Sequence, residues 1–531
     1  MREYVRSRMF LFFVFIVLSP VWLLTGLPGA QAQETDITQT PNKEQAGIKK
    51  TLEQQIGAVR GDIKTKDSSL YIINRDPFRS IRRGRNLFQR KFTVKQGIGP
   101  RTGDGRGDIE AEGSIGAGLV DSCAGCHGRP RGAAGFGGDV FTRPDSRDAP
   151  HLFGLGIIEM LADEITQDLR KIRDDAIAQA SNKDVVVSLK SKGISYGQIT
   201  VNSDGPVDTS DVEGVDEDLR VRPFFHHGGT ISIREFVVGA LNAEMGLEAV
   251  DPDLALASGG GRVVTPAGMV LDGATDTIEA PPAVDESDDP DLDRVPNEIP
   301  VSLVDHMEFY LLNYFKPGTG RQTKNAEKGE KVFQDLQCTG CHIQNLVIER
   351  DRRVADVETK YNPKKGIFNS LFSVATPLLQ EVPGSGSPPV KQPNGQRFVV
   401  KNIYADFKRH DLGPNFWERN FDSSLTKEFM TEPLWGVGSS APYGHDGRSI
   451  DLWSVIMRHG GEAQEAQSQF AELSDEKQGQ VIDFLQSLVL FPPDDTASNL
   501  NPGDPTEPDF PQHGHGNIAL PVLFNDKTDP E

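Results

Sequence analysis

Two short motifs with the spacing Cys-X-X-Cys-His could attach and ligate a haem. They occupy residues 123–127 and 338–342. Together they contain every cysteine of the chain, namely Cys123, Cys126, Cys338 and Cys341. The motif is typical of c-type haem attachment, in which both thiols form thioether bonds with the porphyrin and the histidine ligates the iron. The sequence therefore predicts two covalently attached c-type haems, with His127 and His342 as proximal ligands.

Three other uses of paired cysteines fit this chain less well. Disulfide frameworks are typical of small secreted domains, whereas 531 residues can bury a core without such cross-links. A structural zinc ion would need ligands from two motifs far apart in sequence, and each motif would keep a spare histidine. A thioredoxin-like redox pair usually follows a strand of a βαβ unit, and no such pattern surrounds either motif. We therefore prefer the haem interpretation.

The amino terminus has the layout of a secretory signal peptide. Three arginines within the first eight residues precede an apolar run over residues 9–24, and residues 30–32 (AQA) offer a cleavage site. We expect a signal peptide over residues 1–32, no stable membrane span in the mature chain, and a periplasmic or otherwise exported location. The alternative is an uncleaved membrane anchor. Export agrees with the haem prediction, because c-type haems are normally attached outside the cytoplasmic membrane.

The charge distribution limits the possible partners. A formal net charge of −21 argues against nucleic acid as a partner. Residues 75–101 depart from this acidity, with nine Arg or Lys residues and one acid. The simplest interpretation of this basic segment is a solvated loop. The alternative is a segment that balances haem propionates or docks an acidic redox partner.

An internal repeat divides the chain into two predicted haem units. Residues 84–88 (GRNLF) precede the first motif and residues 329–333 (GEKVF) precede the second. Gly329 lies nine residues before Cys338, as in the opening helix of many small c-type cytochromes, whereas the corresponding gap in the first copy is 39 residues and is interpreted as an inserted loop. Apolar residues at helical spacing follow each motif, whereas only two short runs alternate like strands. We therefore predict a mainly α fold with two cytochrome c-like haem domains and long loop insertions. The predicted boundaries are a polar leader at residues 33–74, haem domains at 75–285 and 299–491, and a Pro/Asp-rich tail at 492–531.

The last predicted helix offers a packing test. Ser474 has the character of an N-cap, and Val481, Phe484 and Leu485 form an apolar stripe along the following turns. In a cytochrome c domain this helix crosses the opening helix. We therefore expect Phe333 to lie near Leu485.

Several segments outside the haem motifs carry a family resemblance. They are residues 146–150 (SRDAP), 242–246 (NAEMG), 406–414 (DFKRHDLGP), 433–436 (PLWG), 441–448 (APYGHDGR) and 458–462 (RHGGE). With the two haem motifs, they resemble the di-haem oxidoreductase family, also described as peroxidases or thiol oxidoreductases and related to the bacterial di-haem cytochrome c peroxidases. The resemblance implies two helical cytochrome c domains, haems that face a shared interface, and electron transfer between them. Peroxide reduction is the best-known chemistry of the family.

The resemblance also implies a distal ligand for the C-terminal haem. Related peroxidases place that ligand, usually a methionine, at the position of His459, while Met457 lies two residues out of register. Because a methionine ligand raises the reduction potential, we expect a low-spin bis-histidine haem of lower potential than in those relatives. The alternative is a surface histidine that precedes the turn at residues 460–461.

For the N-terminal haem, the resemblance implies an acid–base residue. Glu244 takes the position of the peroxidase glutamate, where a carboxylate could move a proton between the two oxygens of a bound peroxide. Phe236 stands where relatives commonly have glutamine, so that one polar partner is replaced by an apolar ring.

The sixth ligand of the N-terminal iron has several candidates. His226 and His227 stand where relatives often carry Trp-Asp, and either could ligate the iron or act as a pocket base. His151 and Met245 are further candidates. Relatives can also carry an interdomain calcium, for which residues 439–442 are the candidate segment, although no carboxylate cluster accompanies them.

Three functions follow from these features. The first is an exported enzyme that reduces peroxide with electrons from a small redox protein. The second is a non-catalytic electron carrier in which both irons are six-coordinate. The third is an oxidase that acts on a protein or thiol substrate.

Overall fold

The computed structural model describes residues 51–57, 59–92, 96, 120–129, 133–137, 139–140, 147–285, 287–289, 299–364, 371–420, 422–490 and 517–519. This part contains twelve α-helices: α1 (Leu52–Ile56), α2 (Ser69–Arg75), α3 (Pro77–Gln89), α4 (Cys123–His127), α5 (Leu155–Gln179), α6 (Ile233–Met245), α7 (Pro252–Ser258), α8 (Val301–Leu312), α9 (Lys324–Asp335), α10 (Leu452–Arg458), α11 (Gln464–Ala471) and α12 (Asp475–Gln486). It contains twenty β-strands: β1 (Asp139–Val140), β2 (Arg147–Asp148), β3 (Val185–Ser191), β4 (Ile194–Val201), β5 (Val207–Asp208), β6 (Arg262–Val264), β7 (Val270–Asp272), β8 (Lys316–Thr319), β9 (Leu346–Ile348), β10 (Ala355–Tyr361), β11 (Leu371–Pro377), β12 (Leu379–Glu381), β13 (Lys391–Pro393), β14 (Phe398–Val400), β15 (Arg409–Asp411), β16 (Glu418–Arg419), β17 (Leu425–Thr426), β18 (Glu428–Met430), β19 (Leu488–Val489) and β20 (Asn517–Ala519).

The prediction of a mainly α fold is wrong, because strands make up a large share of the molecule. Of the described residues, 36% are helical and 20% lie in strands. The strands form eight small sheets, most of them two-stranded, and the largest has the order β19-β8-β10-β11-β20. Many of the strands lie in the long stretch that follows the second haem motif, from β9 to β18. The predicted loop insertions are therefore largely built from β-hairpins.

The strands escaped prediction because most are too short to show sustained alternation. Several contain only two or three residues, and some pair with strands far away in sequence, such as β9 with β14. β10 is an exception, since residues 355–361 (ADVETKY) alternate between buried and more exposed positions. It pairs with β11 in an antiparallel register from Ala355–Pro377 to Tyr361–Leu371. The alternation in this strand was a readable signal of the sheet.

Each haem unit contains a close crossing of two helices at a glycine. A Cβ on Gly84 of α3 would lie 2.3 Å from the carbonyl oxygen of His306 in α8. A Cβ on Gly329 of α9 would lie 1.8 Å from the carbonyl oxygen of Gln480 in α12. Only a residue without a side chain permits such backbone contact. The repeat seen in the sequence is thus a repeated helix crossing.

The crossing in the C-terminal unit forms a compact apolar cluster. Phe333 packs against Phe484, with ring centroids 5.4 Å apart. Leu485 belongs to the same cluster, in agreement with the expected proximity of Phe333 and Leu485. The last helix begins after Ser474, as predicted, with two acidic residues in its first turn.

Helix α8 lies just after the predicted boundary at residues 285–299, and that boundary stays a prediction. Helix α8 packs on α3 through the Gly84 crossing, so it occupies the place that α12 has in the C-terminal unit. The main hydrophobic core also continues through both halves. Across this junction, Arg352 forms an ion pair with Asp163 at 2.9 Å.

Residues 51–74 pack on the N-terminal haem unit. Leu52 and Ile72 are buried in the core. Arg60 reaches inward and forms ion pairs with Asp253 at 2.6 Å and Asp305 at 2.7 Å. The following basic segment is not a solvated loop over its described part, because α3 buries most of its arginines.

Two sequence predictions fall wholly or largely outside the residues that the structure describes. The predicted signal peptide at residues 1–32 lies outside the described residues, as does the predicted tail apart from β20. Within the described ranges, none of the helices has both the length and the apolar composition needed to cross a bilayer.

Candidate functional site

The first Cys-X-X-Cys-His motif forms the single helical turn α4. Its thiols are free of disulfide bonds. The imidazole of His127 donates from Nδ1 to the carbonyl oxygen of Pro150 at 2.8 Å. Burial lowers the pKa of His127, so the ring stays neutral. With the hydrogen held on Nδ1, Nε2 keeps its lone pair and is the nitrogen that can ligate a metal.

An apolar cavity, partly open to solvent, lies beside this motif. Cys123, Cys126 and His127 form one side of it. The surrounding apolar walls include Phe88, Leu152, Phe236, Leu241, Met307 and Leu311. A largely apolar lining with a single carboxylate is typical of a site that holds a small molecule or cofactor.

The cavity also contains two of the predicted functional residues. Glu244 and Met245, at the end of α6, both line it. Glu244 is the single carboxylate among its lining residues. The structure therefore brings Glu244 together with His127, although 117 residues separate them in the sequence. The helix that carries Glu244 is capped by Ser232, whose hydroxyl accepts a hydrogen bond from the backbone N–H of Glu235.

The residues of this cavity fit a c-type haem. Two thiols and a neutral imidazole stand at one side of an apolar chamber, which is the donor set that the porphyrin and its iron require. Burial raises the pKa of the Cys123 thiol to about 12. Among the described residues, the donor atoms of this motif do not come together as a compact metal-binding group, so the cavity suits a haem better than a zinc ion.

Three histidines proposed as sixth ligands lie outside the lining of this cavity. His226 is hydrogen-bonded through Nδ1 to Glu432 at 2.8 Å and through Nε2 to the carbonyl oxygen of Asp148 at 3.3 Å. His227 stacks on Phe225, with ring centroids 6.2 Å apart. His151 also uses both ring nitrogens in hydrogen bonds, with the backbone of Phe153 and with the backbone of Trp435. The structure thus brings Met245, but none of these histidines, into the lining of the cavity.

The second motif repeats the arrangement of the first. His342 donates from Nδ1 to the carbonyl oxygen of Tyr404 at 3.1 Å. Burial lowers the pKa of His342 to about 4, and the positive form is further disfavoured by His459 nearby. Nε2 is again the nitrogen left to ligate iron.

His459 shows the same hydrogen-bond pattern at the end of α10. Its Nδ1 donates to the carbonyl oxygen of Val455 at 2.7 Å. Burial lowers the pKa of His459, and its ring packs edge-on against Phe416 at 5.4 Å. A partly buried, neutral imidazole near His342 argues against a plain surface histidine and suits the predicted distal ligand. Met457 is engaged elsewhere, with its sulfur 3.6 Å from the amide nitrogen of Gln467.

His410 forms a charged cluster beside the second motif. It is hydrogen-bonded through Nε2 to Asp406 at 2.8 Å and through Nδ1 to Glu462 at 2.7 Å. Burial opposes a charge on the ring, but hydrogen bonds to Asp406 and Cys341 raise the pKa of His410 to about 11. His410 therefore carries a positive charge between two carboxylates.

Cys341, Asp406 and His410 have the spacing of a metal site. Their donor atoms lie within 4.8 Å of one another, in the one such group among the residues that the structure describes. The thiol of Cys341 is already assigned to haem attachment, so we assign no separate metal here. The i, i+4 spacing of Asp406 and His410 was the sequence signal for this cluster.

His445 packs inside the protein near the second motif's half of the chain. It is buried and stacks on Phe429, with ring centroids 4.1 Å apart. Of the predicted calcium segment, Ser439 ends a short 3₁₀ turn. The calcium itself stays a prediction.

Comparison with known proteins supports the redox assignment in the C-terminal half. The family model described as "Di-haem oxidoreductase, putative peroxidase" matches residues 372–488. The match confirms the predicted family resemblance over that range and implies haem cofactors. It includes the segments from residues 406 to 462. It begins after both haem motifs and contains neither of them.

The other comparisons add little. No curated protein matches the chain. A similar solved structure is the hydrazine synthase of Kuenenia stuttgartiensis pressurised with xenon, at 15% sequence identity and a TM-score of 0.23. The match covers 37% of this chain and 58% of that chain, which is less than two thirds of its length. A TM-score this low carries no argument about the fold.

Proposed function

We propose that this protein is an exported di-haem c-type cytochrome oxidoreductase that reduces peroxide with electrons from a small redox protein. Cys123, Cys126 and His127 would hold one haem, and the second motif with His459 would hold the other. The observation that carries the proposal is the shared cavity of His127 and Glu244. A haem bound in that cavity would supply the redox chemistry of oxygen–oxygen bond cleavage.

The chain's own residues would handle the proton. Glu244 would take a proton from one peroxide oxygen and return it to the oxygen that leaves as water. Two electrons and two further protons complete the reduction of one peroxide to two waters. The apolar walls formed by residues such as Phe236 and Leu241 exclude bulk water from this exchange.

The Glu244→Gln variant tests the catalytic role. We expect peroxide turnover to fall by about 10²–10⁴-fold, the usual contribution of a general acid–base group. Haem content, the ferric spectrum and the reduction of both haems by a chemical donor should stay as in the wild type. Glu217→Gln, which neutralises an exposed carboxylate, is the matched control and should retain full turnover. Equal turnover in the two variants would remove Glu244 from the mechanism.

Export and the protein donor are further parts of the proposal. The signal-like layout of residues 1–32 supports export. The His342 and His459 pair supports electron entry at the C-terminal haem, because a six-coordinate iron exchanges electrons without binding substrate. Fractionation of the producing cells and amino-terminal sequencing of the mature protein would test the export prediction.

The electron-carrier alternative has one observation in its favour. Met245 lines the same cavity as His127, and a methionine ligand would close the N-terminal iron. A ferric spectrum separates the two functions. A high-spin component indicates one accessible iron and supports the enzyme, whereas purely low-spin signals favour the carrier.

A further inference from the structure

We propose that His151 is a positioning residue that joins the two proximal haem ligands, His127 and His342, through one continuous bonded route. This inference rests on the proposed pair of haems and concerns electron transfer between them. It extends the proposed function, because it names the side chain that links the two sites.

The first part of the route leads from the N-terminal motif to His151. The Nδ1–H of His127 donates to the carbonyl oxygen of Pro150 at 2.8 Å. Pro150 is bonded to His151 through the next peptide unit. The group that orients the first proximal ligand therefore belongs to the residue that directly precedes His151.

The side chain of His151 then crosses to the C-terminal half. Its Nδ1 accepts a hydrogen bond from the backbone N–H of Phe153 at 3.2 Å. The ring hydrogen must then lie on Nε2, which donates to the carbonyl oxygen of Trp435 at 3.1 Å. Burial lowers the pKa of His151 to about 4, in keeping with this single neutral tautomer.

Trp435 is held firmly at the crossing. Its side chain is buried. A Cβ on Gly154 would lie 2.7 Å from the indole ring, and Gly154 has a φ of +76°, so glycine is required there for two reasons. The contact limits how closely the chain after His151 approaches the indole, whereas the hydrogen bond from His151 goes to the backbone carbonyl of Trp435.

The last part of the route leads to the second proximal ligand. The backbone N–H of Leu434, the neighbour of Trp435, donates to the carbonyl oxygen of Ile403 at 3.0 Å. Ile403 is followed directly by Tyr404, whose carbonyl oxygen accepts the Nδ1–H of His342 at 3.1 Å. Four hydrogen bonds and short stretches of covalent chain thus connect the two imidazoles.

This route contains no through-space step. Electronic coupling falls more steeply across an empty gap than across a covalent or hydrogen bond, so a bonded chain is a favourable path between two ligands. One electron would oxidise the iron that it leaves and reduce the iron that it reaches. No proton needs to move, since His151 keeps its single ring hydrogen on Nε2. Among the hydrogen bonds of the route, only the one from His151 to Trp435 depends on a side chain that is not itself an iron ligand.

The test measures electron transfer between the haems directly. Full-length matured protein carrying both haems is half-reduced by a light-activated reductant, without peroxide or protein donor, and transient absorbance follows the redistribution of the electron. We expect His151→Phe to slow this step by roughly 10-fold or more, the scale on which loss of an outer-shell partner acts. His151→Gln, whose side-chain amide can still donate to the Trp435 carbonyl, should restore most of the rate.

Trp435→Phe is the matched control. It removes the indole but keeps the backbone carbonyl, and the indole Nε1 has no hydrogen-bond partner in the part of the chain that the structure describes. Its rate should stay close to that of the wild type. A slow Trp435→Phe variant beside a normal His151→Phe variant would assign the route to the indole and overturn this inference.

Each remaining outcome is also decisive. Wild-type spectra and a wild-type rate in His151→Phe would refute the role of His151. If that variant fails to bind both haems, the smaller His151→Leu and His151→Ala variants replace it. They are judged in the same way, by their spectra and by the rate of electron transfer between the haems. A wild-type protein without any transfer between haems would refute the proposed function, whereas equal rates in wild type and variant would refute only the route.

Discussion

Gly329 touches Gln480 through the backbone, since a Cβ on the glycine would lie 1.8 Å from the carbonyl oxygen of Gln480. This contact joins the first helix of the C-terminal haem unit to its last. Gly84 and His306 make the same kind of contact in the N-terminal unit. Both haem motifs are therefore positioned by a pair of helices that only glycine allows to approach so closely.

The Gly329→Ala variant should destabilise the C-terminal unit. The added methyl group meets backbone rather than a flexible side chain, so the helices must separate, at a cost of about 2–3 kcal/mol in the free energy of unfolding. Denaturant unfolding monitored by haem absorbance measures the change. Gly479→Ala, on the partner helix α12, is the matched control, because no neighbouring atom lies within 4 Å of the place that its Cβ would take. That control should be neutral or stabilising by about 0.5–1 kcal/mol.

The His459→Met variant should raise the reduction potential of the C-terminal haem. A thioether ligand stabilises the ferrous iron relative to an imidazole ligand. We expect a rise of roughly 0.1–0.3 V, within the ~0.8 V range that axial ligands span. A potentiometric titration followed by visible absorbance measures it. Met457→Leu should leave the potential unchanged, and an unchanged potential in His459→Met would exclude His459 as the ligand.

The stability contributed by His410 should depend on pH. Its pKa is raised to about 11 in the folded chain, where burial is outweighed by hydrogen bonds to Asp406 and Cys341, whereas an unfolded histidine has a pKa of about 6.5. A group with a raised folded-state pKa stabilises the fold fully below the unfolded value, and this stabilisation is lost as the pH rises toward the folded value. In the haem-bound form Cys341 is a thioether, so the carboxylates alone maintain the shift.

His410→Gln should therefore be most harmful near pH 6. We expect a loss of roughly 1–3 kcal/mol there, the range for hydrogen bonds to charged groups, and a smaller loss at pH 10. Urea unfolding of both proteins at several pH values gives the difference. A difference that stays constant with pH would show that His410 is neutral in the folded protein.

The sequence predicted local features better than it predicted the fold. The cysteine spacing revealed both Cys-X-X-Cys-His motifs, and the apolar stripe of the last helix predicted the crossing in the C-terminal unit, because each signal lies within a few residues. The strands between residues 346 and 430 were read as loops, since most are only two or three residues long. Short strands obtain their stability from partners distant in sequence, which local patterns do not reveal.

The site was predicted only in part for a similar reason. The position of Glu244 followed from its motif, and the structure places it in the cavity with His127. The choice among His151, His226 and Met245 needed the hydrogen bonds of each side chain, which no spacing encodes. The role of α8 in lining the cavity was missed because this helix is buried on nearly every side, polar residues such as Asp305 and Glu308 included, so that no single face could be assigned to the core.

The Met245→Leu variant should leave the ferric spectrum unchanged if the N-terminal iron is open. Leucine keeps the apolar volume of the side chain but removes the sulfur. Under the proposed function, the high-spin fraction measured by EPR stays the same and peroxide turnover is retained. A clear increase in the high-spin fraction would instead identify Met245 as a ligand and favour the electron carrier.

The Arg234→Met variant should strongly destabilise the N-terminal unit. Arg234 is fully buried at the start of α6, the helix that carries Glu244. It pairs with Asp251 at 2.8 Å, Glu308 at 2.8 Å and Asp305 at 3.1 Å. Its removal leaves Asp251 and Glu308 without the cation that they share. Breaking a buried ion pair in this way costs about 3–5 kcal/mol.

The pH dependence of this variant adds a second readout. Burial raises the pKa of Glu308 to about 7 even though Arg234 opposes the shift, so loss of the arginine should raise that pKa further. The carboxyl then binds a proton more tightly in the folded state than in the unfolded state, and the variant should lose stability as the pH rises through 7. Denaturant midpoints at pH 6 and pH 8 measure this. Arg262→Met, which breaks an exposed pair with Asp272, is the control and should cost about 0–1 kcal/mol at both pH values. Equal effects of the two variants would show that the buried cluster does not hold α6 in place.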